Sequence, residues 1–255
     1  MPSFIAMNLT EYRNSVLEIQ RTEDILRLIQ ISEATGIALD IGARDGYFSL
    51  LLTEQFSNVI AFDLTKPEIS HPRIKCEQGN AINLEFADES IDFVFCAEVL
   101  EHIPSNVLSK VCSEIERVCR GKILIGVPYK QDIRVGRTTC RTCKGKNPPW
   151  GHVNTFDEQQ LFKLFPNCKV DLVSFVGKRV EQTNVVATIL MDLAGNPYGT
   201  YEQDETCIHC NAKLTLPPER NLAQKILTKL GFLTQSATLA FHKPRGNWIH
   251  LLLSK

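Results

Sequence analysis

Residues 37–49, Ile-Ala-Leu-Asp-Ile-Gly-Ala-Arg-Asp-Gly-Tyr-Phe-Ser, decide the fold. The apolar run from Ile37 to Ile41 predicts a short buried strand of the kind found in parallel sheets. Residues 42–46 predict a tight turn, because glycines at both ends allow backbone angles that other residues avoid. Apolar residues at helical spacing over 47–56 predict a helix. A strand, a glycine turn and a helix in this order predict a nucleotide-binding βαβ unit.

The charges on this turn indicate which ligand it would accept. Asp40 and Asp45 flank the spacing Gly-x-Arg-x-Gly. A bound pyrophosphate needs close contact with glycines and would be repelled by two carboxylates. A cation such as an α-ammonium group beside a sulfonium would be attracted instead. The turn therefore favours a cationic cofactor over a dinucleotide.

Polar residues also follow three later predicted strands. Residues 58–63 predict the second strand, and its last residue, Asp63, follows Asp40 by 23 positions. That spacing is typical of an acid that binds ribose hydroxyls, although an aspartate facing water would look the same. Asn80 and Ala81 follow the third strand, predicted over 73–77, where they also fit an ordinary turn. Residues 91–96 predict the fourth strand.

These segments together resemble class I S-adenosylmethionine (SAM)-dependent methyltransferases. The turn is similar to the family's first motif, acidic-x-Gly-x-Gly-x-Gly, with Arg44 in place of the middle glycine, and residues 91–104 are similar to its fourth motif. The resemblance implies SAM as cofactor, with an adenine contact at Asn80. It also implies an α/β fold, a doubly wound Rossmann-like mixed sheet of seven strands in the order 3-2-1-4-5-7-6 with the last strand antiparallel. The cofactor-binding residues that it implies are Asp40, Gly42, Ala43, Arg44, Asp45, Gly46, Asp63, Asn80, Ala81, Cys96 and Ala97.

Two Cys-x-x-Cys pairs, Cys140/Cys143 and Cys207/Cys210, stand out among the nine cysteines. Two intervening residues let both thiolates of a pair reach one tetrahedral metal ion. The pairs lie further apart than those of a usual zinc ribbon. In the implied sheet order, however, both connections leave the same edge of the sheet. We therefore expect one shared structural Zn²⁺ that fixes a lid over the cofactor, with a redox dithiol as the alternative.

Candidate catalytic residues follow the fourth and fifth predicted strands. His152 is a candidate base or acceptor contact for a hydroxyl substrate. Glu98, Glu101 and His102, taken with His152, resemble the metal-binding residues of small-RNA 2′-O-methyltransferases, and such mixed ligands suit Mg²⁺, Mn²⁺ or Zn²⁺. The same pattern occurs in related methyltransferases thought to need no metal, where these side chains orient loops and begin the next helix. Both interpretations remain open.

Composition bounds the function class. The 255 residues carry a net charge of -1 and contain no apolar run long enough to cross a membrane, so the average charge indicates neither nucleic acid nor membrane surfaces as partners. Acidic residues near the N-terminus argue against a signal peptide, and an odd number of cysteines fits a cytoplasmic protein with reduced thiols. Six basic residues fit a solvated loop, an anionic acceptor or RNA phosphates: Lys130, Arg134, Arg137, Arg141, Lys144 and Lys146.

The predicted organisation has four segments. These are an N-terminal helical segment (1–36), a SAM-binding core (37–182) with a lid loop (128–150), an insertion with the second cysteine pair (183–233) and a final core segment (234–255). Further expected elements are a helix from Ser105 that ends at Gly121, a fifth strand over 122–127 and a helix to Phe165 opened by a capping box from Thr155 to Glu158. The others are a strand over 169–176, helices over 183–195 and 218–231, and a last strand over 248–253, with 237–241 as its alternative.

The predicted function is methylation of a small-molecule or glycan-type acceptor, at oxygen first and nitrogen second. An RNA methyltransferase that uses the basic, cysteine-bearing segment is the alternative. A protein that binds SAM without catalysis is a further one. The sequence leaves the oligomeric state open.

Overall fold

The computed structural model describes residues 12–203, 205–239 and 242–255. Its helices are α1 (Val16–Ser32), α2 (Tyr47–Leu52), α3 (Ser105–Val118), α4 (Glu158–Leu164), α5 (Val185–Leu193) and α6 (Leu222–Leu239). The strands are β1 (Ile37–Ile41), β2 (Asn58–Asp63), β3 (Ile74–Gln78), β4 (Ile91–Ala97), β5 (Cys119–Pro128), β6 (Thr138–Thr139), β7 (Lys146–Asn147), β8 (Lys169–Val176) and β9 (Trp248–Ser254). A short 3₁₀ helix covers Pro149–Gly151. Among the described residues, no helix has both the length and the apolarity needed to cross a bilayer.

The chain packs as two compact units. The sheet unit comprises residues 19–129, 156–177 and 246–255. The cysteine unit comprises residues 130–155 and 178–245 together with the described residues up to Glu18. The predicted cofactor residues all fall in the sheet unit, and the two cysteine pairs both fall in the cysteine unit.

The sheet unit is built on seven strands in the order β3-β2-β1-β4-β5-β9-β8. Strands β1 to β5 pair in parallel, whereas β9 runs antiparallel to both β5 and β8. The numbers of the last two strands differ from the expected order because β6 and β7 pair with each other in a separate two-stranded sheet. The mixed seven-stranded sheet with its antiparallel last strand is as predicted.

Both faces of this sheet are covered, which explains why its central strands are apolar throughout. Successive residues of β1 point to opposite faces. Ala38 packs in a cluster with Ile25 and Leu28 of α1. Leu39 packs in another cluster with the α3 side chains, including Ile115. The carboxyl ends of β1, β2 and β4 are thereby held on a rigid base.

The capping box before α4 was predicted two residues too early. The Asp157 side chain, not that of Thr155, accepts the Gln160 backbone N–H at 2.8 Å, and the Gln160 side chain accepts the Asp157 backbone N–H at 2.9 Å. Phe156 is buried and still pairs with Tyr129 in a parallel bridge. That bridge keeps the chain extended beyond Thr155, so the helix begins only after Asp157.

Two other predicted helix ends were wrong. Helix α3 ends at Val118 rather than at Gly121, because Gly121 lies in β5, where a Cβ would stand 2.3 Å from the Asp92 carbonyl oxygen. Helix α6 begins after Asn221, whose side chain accepts the Gln224 backbone N–H at 2.9 Å. It then continues through Gly231 to Leu239.

The last strand lies at 248–254, in agreement with the preferred prediction. The alternative at 237–241 was wrong as far as Leu239, which is helical. Thr10, where the first predicted helix was to begin, lies outside the described residues, as does Phe241.

Candidate functional site

The turn between β1 and α2 keeps the backbone path of a glycine-rich turn despite its central arginine. Gly42, Arg44 and Gly46 all adopt positive φ, at 82°, 50° and 82°. A Cβ at Gly42 would lie 2.3 Å from Val99, and one at Gly46 would lie 2.2 Å from Ile69. Arg44 therefore adopts the left-handed conformation for which glycine is the usual residue. The departure of Arg44 from the family pattern leaves the path of the turn unchanged.

Asp40 lies beneath the turn rather than on its surface. It is buried, and its Oδ2 accepts the Ser49 hydroxyl at 2.5 Å. Burial raises the pKa of the Asp40 carboxyl to about 7, and the nearby Asp63 and Asp45 add to the rise. Asp45 is exposed on the turn itself. Of the two predicted acids, only Asp45 is at the surface.

Asp63 joins the turn to the end of β2. Its Oδ2 accepts the Arg44 backbone N–H at 2.9 Å. Asp63 therefore lies beside the turn at the end of β2, and its role in binding ribose stays a prediction. Asn80, after β3, uses its Oδ1 to accept the Ile82 backbone N–H at 3.0 Å. Since an amide oxygen has two lone pairs, this local turn leaves room for a contact to an adenine amino group.

At the end of β4 the side chain of Cys96 points into the core, which leaves mainly backbone atoms for contact with a ligand. Cys96 is fully buried in the core, and burial raises the pKa of its thiol well above the ordinary value. A cofactor would therefore meet the backbone at Cys96 and Ala97. The next residue, Glu98, has a positive φ of 56°, and its N–H donates to the Gly126 carbonyl at 2.9 Å.

The loop after β4 carries two glutamates with different surroundings. Glu98 lies 3.9 Å from the guanidinium of Arg21, which itself lies between the rings of Phe48 and Trp248 at 5.6 and 5.5 Å. Glu101 is fully buried, and neither of its carboxylate oxygens accepts a hydrogen bond from the part of the chain that the structure describes. Burial, followed by the charge of Glu98, raises the pKa of Glu101 well above its ordinary value.

The predicted catalytic residues are divided between the two units. Glu98, Glu101 and His102 share the loop after β4 in the sheet unit. His152 belongs to the cysteine unit, where it is buried and its Nδ1 donates to Gln131 Oε1 at 2.6 Å. In the neutral ring this leaves Nε2 as the nitrogen with a lone pair. A common metal site for the four residues stays a prediction.

The cysteine unit brings the two Cys-x-x-Cys pairs together. All four sulfur atoms lie within 4.8 Å of one another. The Cys140 and Cys210 sulfurs are 3.7 Å apart, and those of Cys143 and Cys207 are 3.6 Å apart. A tetrahedral zinc with bonds of about 2.3 Å places its sulfurs about 3.8 Å apart, whereas a disulfide joins them at about 2.05 Å. The spacing is that of a tetrahedral thiolate site.

The two pairs have the same backbone geometry. In the first, Lys144 N–H donates to the Cys140 carbonyl at 3.0 Å, and Cys140 N–H donates to the Gly145 carbonyl at 2.9 Å. In the second, the N–H groups of Asn211 and Cys207 make the corresponding bonds, at 2.8 and 2.9 Å. Lys144 and Asn211, each four residues after the first cysteine of its pair, both have positive φ. Both pairs therefore adopt the same knuckle conformation.

Backbone N–H groups favour the thiolate of the first cysteine in each knuckle, whereas at Cys143 the Gly145 N–H is outweighed by neighbouring sulfurs and burial, which raise the pKa of that thiol to about 12. The Cys143 N–H lowers the pKa of the Cys140 thiol to about 6. Burial opposes ionisation of Cys207, but the N–H groups of His209 and Cys210 outweigh it and lower the pKa of that thiol. Thiolates are the form of cysteine that binds metal.

Much of the basic segment is used for internal contacts of the cysteine unit. Arg134 binds both oxygens of Asp132 at 2.8 Å. Arg137 pairs with Asp192 at 3.3 Å, and Lys146 donates to the Asp192 carbonyl at 3.2 Å. These cations stabilise the loops that carry the cysteines, so they are not an unengaged basic surface.

Comparison with known proteins finds similarity over the strands β1 to β5. Residues 39–125, from β1 to β5, match the family model described as a methyltransferase domain. This part of the chain is therefore similar to methyltransferase domains. A protein of Mycolicibacterium smegmatis named as an S-adenosylmethionine-dependent methyltransferase is 30% identical over 108 residues, which are 40% of this chain and 41% of the relative. The chain thus aligns with about two fifths of that relative's length.

Solved structures agree on the fold. A SAM-dependent methyltransferase from Archaeoglobus fulgidus superposes with a TM-score of 0.55 and 14% identity, covering 97% of this chain and 98% of that one. The N-methyltransferase NodS from Bradyrhizobium japonicum, solved with S-adenosyl-L-homocysteine, gives a TM-score of 0.51 at 18% identity and covers 66% and 84%. At such identities the likeness concerns the fold.

Proposed function

We propose that the protein transfers a methyl group from SAM to a small-molecule or glycan-type acceptor, at oxygen first and at nitrogen second. The observation that carries this proposal is the β1–α2 turn, in which Arg44 adopts a left-handed backbone and donates its N–H to Asp63. Turn and acid together are suited to a nucleoside that carries a cationic amino-acid group. SAM supplies an activated methyl group when bound.

The residues of this chain would position the reactants and accept a proton. Asp63 would bind the ribose, Asn80 the adenine edge, and the exposed Asp45 would attract the ammonium group. His152 is proposed as the base for a hydroxyl acceptor, because Gln131 fixes its Nδ1–H and the neutral ring keeps a lone pair on Nε2. Glu98, Glu101 and His102 are proposed to shape the acceptor side of the loop after β4.

The contacts of the basic segment favour a small acceptor over RNA. Arg134 and Arg137 already bind Asp132 and Asp192. A protein gains affinity for RNA when its cations neutralise phosphates and displace their counterions. Arginines that are already paired with carboxylates contribute less to this effect.

Cofactor binding tests the first part of the proposal. We expect SAM and S-adenosyl-L-homocysteine to bind in calorimetric titration, and Asp63→Asn to weaken SAM by about 10-fold or more, since a hydrogen bond to a charged group contributes about 1.5–3 kcal/mol. Asp88→Asn is the matched control, because Asp88 is exposed and pairs with Arg117. Equal affinities for the wild type and both variants would refute the assignment of Asp63.

Methyl transfer tests the second part. The purified protein would be incubated with SAM labelled in its methyl group and with separate fractions of small molecules, glycans and RNA. Label in either of the first two fractions, lost in His152→Gln, is the expected result. Salt-sensitive label in RNA would establish the alternative. SAM binding without label in any fraction would establish a non-catalytic protein.

We also propose that Cys140, Cys143, Cys207 and Cys210 bind one structural Zn²⁺. The distances of 3.6–3.7 Å join sulfurs of different pairs, which supports one shared site over a redox dithiol, because a redox dithiol needs only the two thiols of a single Cys-x-x-Cys pair. A zinc held by four thiolates contributes about 10–16 kcal/mol of apparent binding free energy at neutral pH in peptide models. It would therefore stabilise the two knuckles far more than the packing of polar loops. The role of the cysteine unit as a lid stays a prediction.

Native mass spectrometry tests the zinc proposal. The expected mass includes one zinc per chain, which Cys140→Ser and Cys207→Ser lose. The control variant Cys76→Ser keeps it, because Cys76 belongs to the sheet unit. A strong chelator should lower the melting temperature of the wild type. A metal-free chain two mass units lighter than the reduced form would instead show a disulfide.

A further inference from the structure

Helices α5 and α6 of the cysteine unit face outward with their apolar residues. On α6, Leu222 is 75% exposed, Leu233 58% and Ile226 52%. On α5, Val185 and Leu193 are 64% and 63% exposed. We call the exposed apolar side chains of the two helices the outward face; they are Val185, Val186, Ile189, Leu193, Leu222, Ile226, Leu230, Phe232 and Leu233.

The fully buried residues of α6 are small. Thr228 and Gly231 are its buried residues. A Cβ at Gly231 would lie 3.1 Å from the Met191 side chain of α5, so the two helices approach closely there. Asn184, which caps α5, donates to the Thr234 carbonyl at 2.9 Å and to the Thr238 hydroxyl at 2.6 Å.

This distribution is the reverse of that in an ordinary surface helix, which turns its apolar stripe inward. Small and hydroxyl residues between helices, with apolar residues outside, are typical of helices that meet lipid. Nine exposed apolar side chains on two helices that pack against each other point to an interaction site. The outward face therefore has a partner with an apolar component.

A basic groove adjoins the outward face. It is lined by Arg220, Lys225 and Lys229 together with Tyr198 and Phe232. The Arg220 guanidinium lies 5.0 Å from the Tyr198 ring centroid and donates to the Tyr198 hydroxyl at 3.2 Å. The rings of Tyr198 and Phe232 stand 5.1 Å apart. Helix α6 itself contains no acidic residue.

The combination of charge and apolar surface distinguishes between partners. Lysine is depleted in the core of protein interfaces. A symmetric contact with a second copy would press each copy's outward face against the same surface of the other, and so gather the lysines of both copies in one interface without adding acidic partners from α6. An anionic bilayer suits both the basic groove and the outward face, because lipid phosphates bind the cations while acyl chains accept the apolar residues.

We propose that α5 and α6 bind the surface of an anionic lipid bilayer. The outward face enters the boundary between headgroups and acyl chains, and Arg220, Lys225 and Lys229 bind lipid phosphates. The chain-wide net charge of -1 gives no sign of this, because it averages the cations of one groove with acids elsewhere in the sequence.

Vesicle co-sedimentation of the full chain tests the proposal. The wild type should sediment with vesicles of phosphatidylcholine mixed with phosphatidylglycerol, and far less with phosphatidylcholine alone. Lys225→Glu combined with Lys229→Glu should reduce partitioning by about 25-fold or more, since each lysine near such a surface contributes about five-fold. Lys163→Glu, an exposed position on α4 of the sheet unit, should leave partitioning unchanged.

A matched pair of variants tests the apolar contribution to vesicle binding. Ile226→Gln should reduce partitioning, whereas Ile31→Gln on α1, at a similar exposure of 49% against 52%, should not. Circular dichroism would confirm that each variant is folded.

No sedimentation of the wild type, or equal sedimentation of all variants, would overturn the proposal. A dimer in solution that Ile226→Gln dissociates, without vesicle binding, would assign the face to a second copy. Binding of inorganic phosphate without vesicle binding would assign the groove to a free anion.

Discussion

The buried carboxyl of Asp40, beneath the β1–α2 turn, makes the stability of the protein depend on pH. Burial raises the pKa of its carboxyl to about 7 from an ordinary value of 3.8. Between these values the unfolded chain is ionised and the folded chain is not. The contribution of Asp40 to the free energy of unfolding should therefore fall as the pH rises through this window, because the unfolded state releases the proton first.

Asp40→Asn should remove that loss of stability. At pH 8 the variant should be more stable than the wild type by up to about 4 kcal/mol, since each unit of pKa corresponds to about 1.36 kcal/mol. Near pH 4 the two proteins should be nearly equal. Urea unfolding at both pH values measures the difference. An Asp40→Asn variant that is less stable than the wild type at both pH values would contradict it.

Arg44 carries a cost in backbone energy. A residue with a Cβ in the left-handed region costs about 1–2 kcal/mol, and glycine does not. Because glycine also loses more entropy on folding, Arg44→Gly should raise the free energy of unfolding by about 1 kcal/mol or less. Arg44→Ala is the control, since it removes the same charge and keeps the strain. Equal stability of the two variants would show that the arginine side chain, not φ, decides the effect.

For single residues, the sequence predicts which side chains lie at the turn better than it predicts which side chains are buried. Asp63 and the glycine positions lie as expected, because the backbone of the turn requires them. The full burial of Cys96 and of Glu101 was not predictable. Each depends on which face of β4 or of the following loop meets the core, and that is decided by side chains distant in the chain.

Helix α4 shows how an element's start depends on its neighbour. Asp157→Ala should destabilise the protein by about 1 kcal/mol, the usual value of an N-cap side chain. Thr155→Ala should cost less than about half of that, although Thr155 fits the sequence pattern equally well. Thermal unfolding of both variants gives the comparison. A larger loss in Thr155→Ala would place the helix start where the sequence pattern predicted it.

The helices and the seven strands of the main sheet were predictable in order, but the β6–β7 pair and several boundaries were not. The pairing of Tyr129 with Phe156 delays α4, and the close approach of β4 to Gly121 ends α3 early. Neither contact has a local signal in the sequence. Similarly, the apolar spacing of α6 predicts a helix, but it cannot say that Thr228 faces inward while Ile226 faces out.

The two ends of the sheet unit are joined by one buried contact. Asp24 on α1 and His250 on β9 are 226 positions apart, and His250 Nδ1 lies 2.6 Å from Asp24 Oδ2. Burial alone would raise the pKa of Asp24, but hydrogen bonds from His250, Arg27 and Ser174 outweigh it and lower that pKa to about 2. Burial lowers the pKa of His250, so its ring stays neutral as the pH falls below 6.5.

Both groups make the fold sensitive to acid. The unfolded chain protonates His250 first and Asp24 later, so the stabilisation due to His250 should fall below about pH 6.5 and that due to Asp24 between about pH 4 and pH 2. Asp24→Asn should cost about 2 kcal/mol at pH 7 and reduce the second decline, to which Asp92 and Asp132 with their lowered pKa values still contribute, while keeping the first. Unfolding measured by fluorescence across this range tests it. A variant with the same acid profile as the wild type would contradict it.

For the whole molecule, the resemblance of a few motifs was enough to predict the sheet. The four cysteines were predictable as a group, because the Cys-x-x-Cys spacing has a strong geometric reason. The division into two units was not predictable, since each unit is assembled from separate stretches of chain. The outward face of α5 and α6 was missed for the same reason.

The repeated knuckle has a consequence for how the protein is made. Cys143 and Cys207 are 64 positions apart, and a ribosome adds about 5–20 residues per second. The first pair of thiols therefore emerges about 3–13 s before the second. If four thiolates bind zinc as proposed, the nascent chain holds only half a site during that interval. An oxidant that arrives then closes Cys140 onto Cys143, and the finished chain can no longer assemble the tetrahedron. Zinc supply and redox balance would thus act on newly synthesised molecules more than on mature ones.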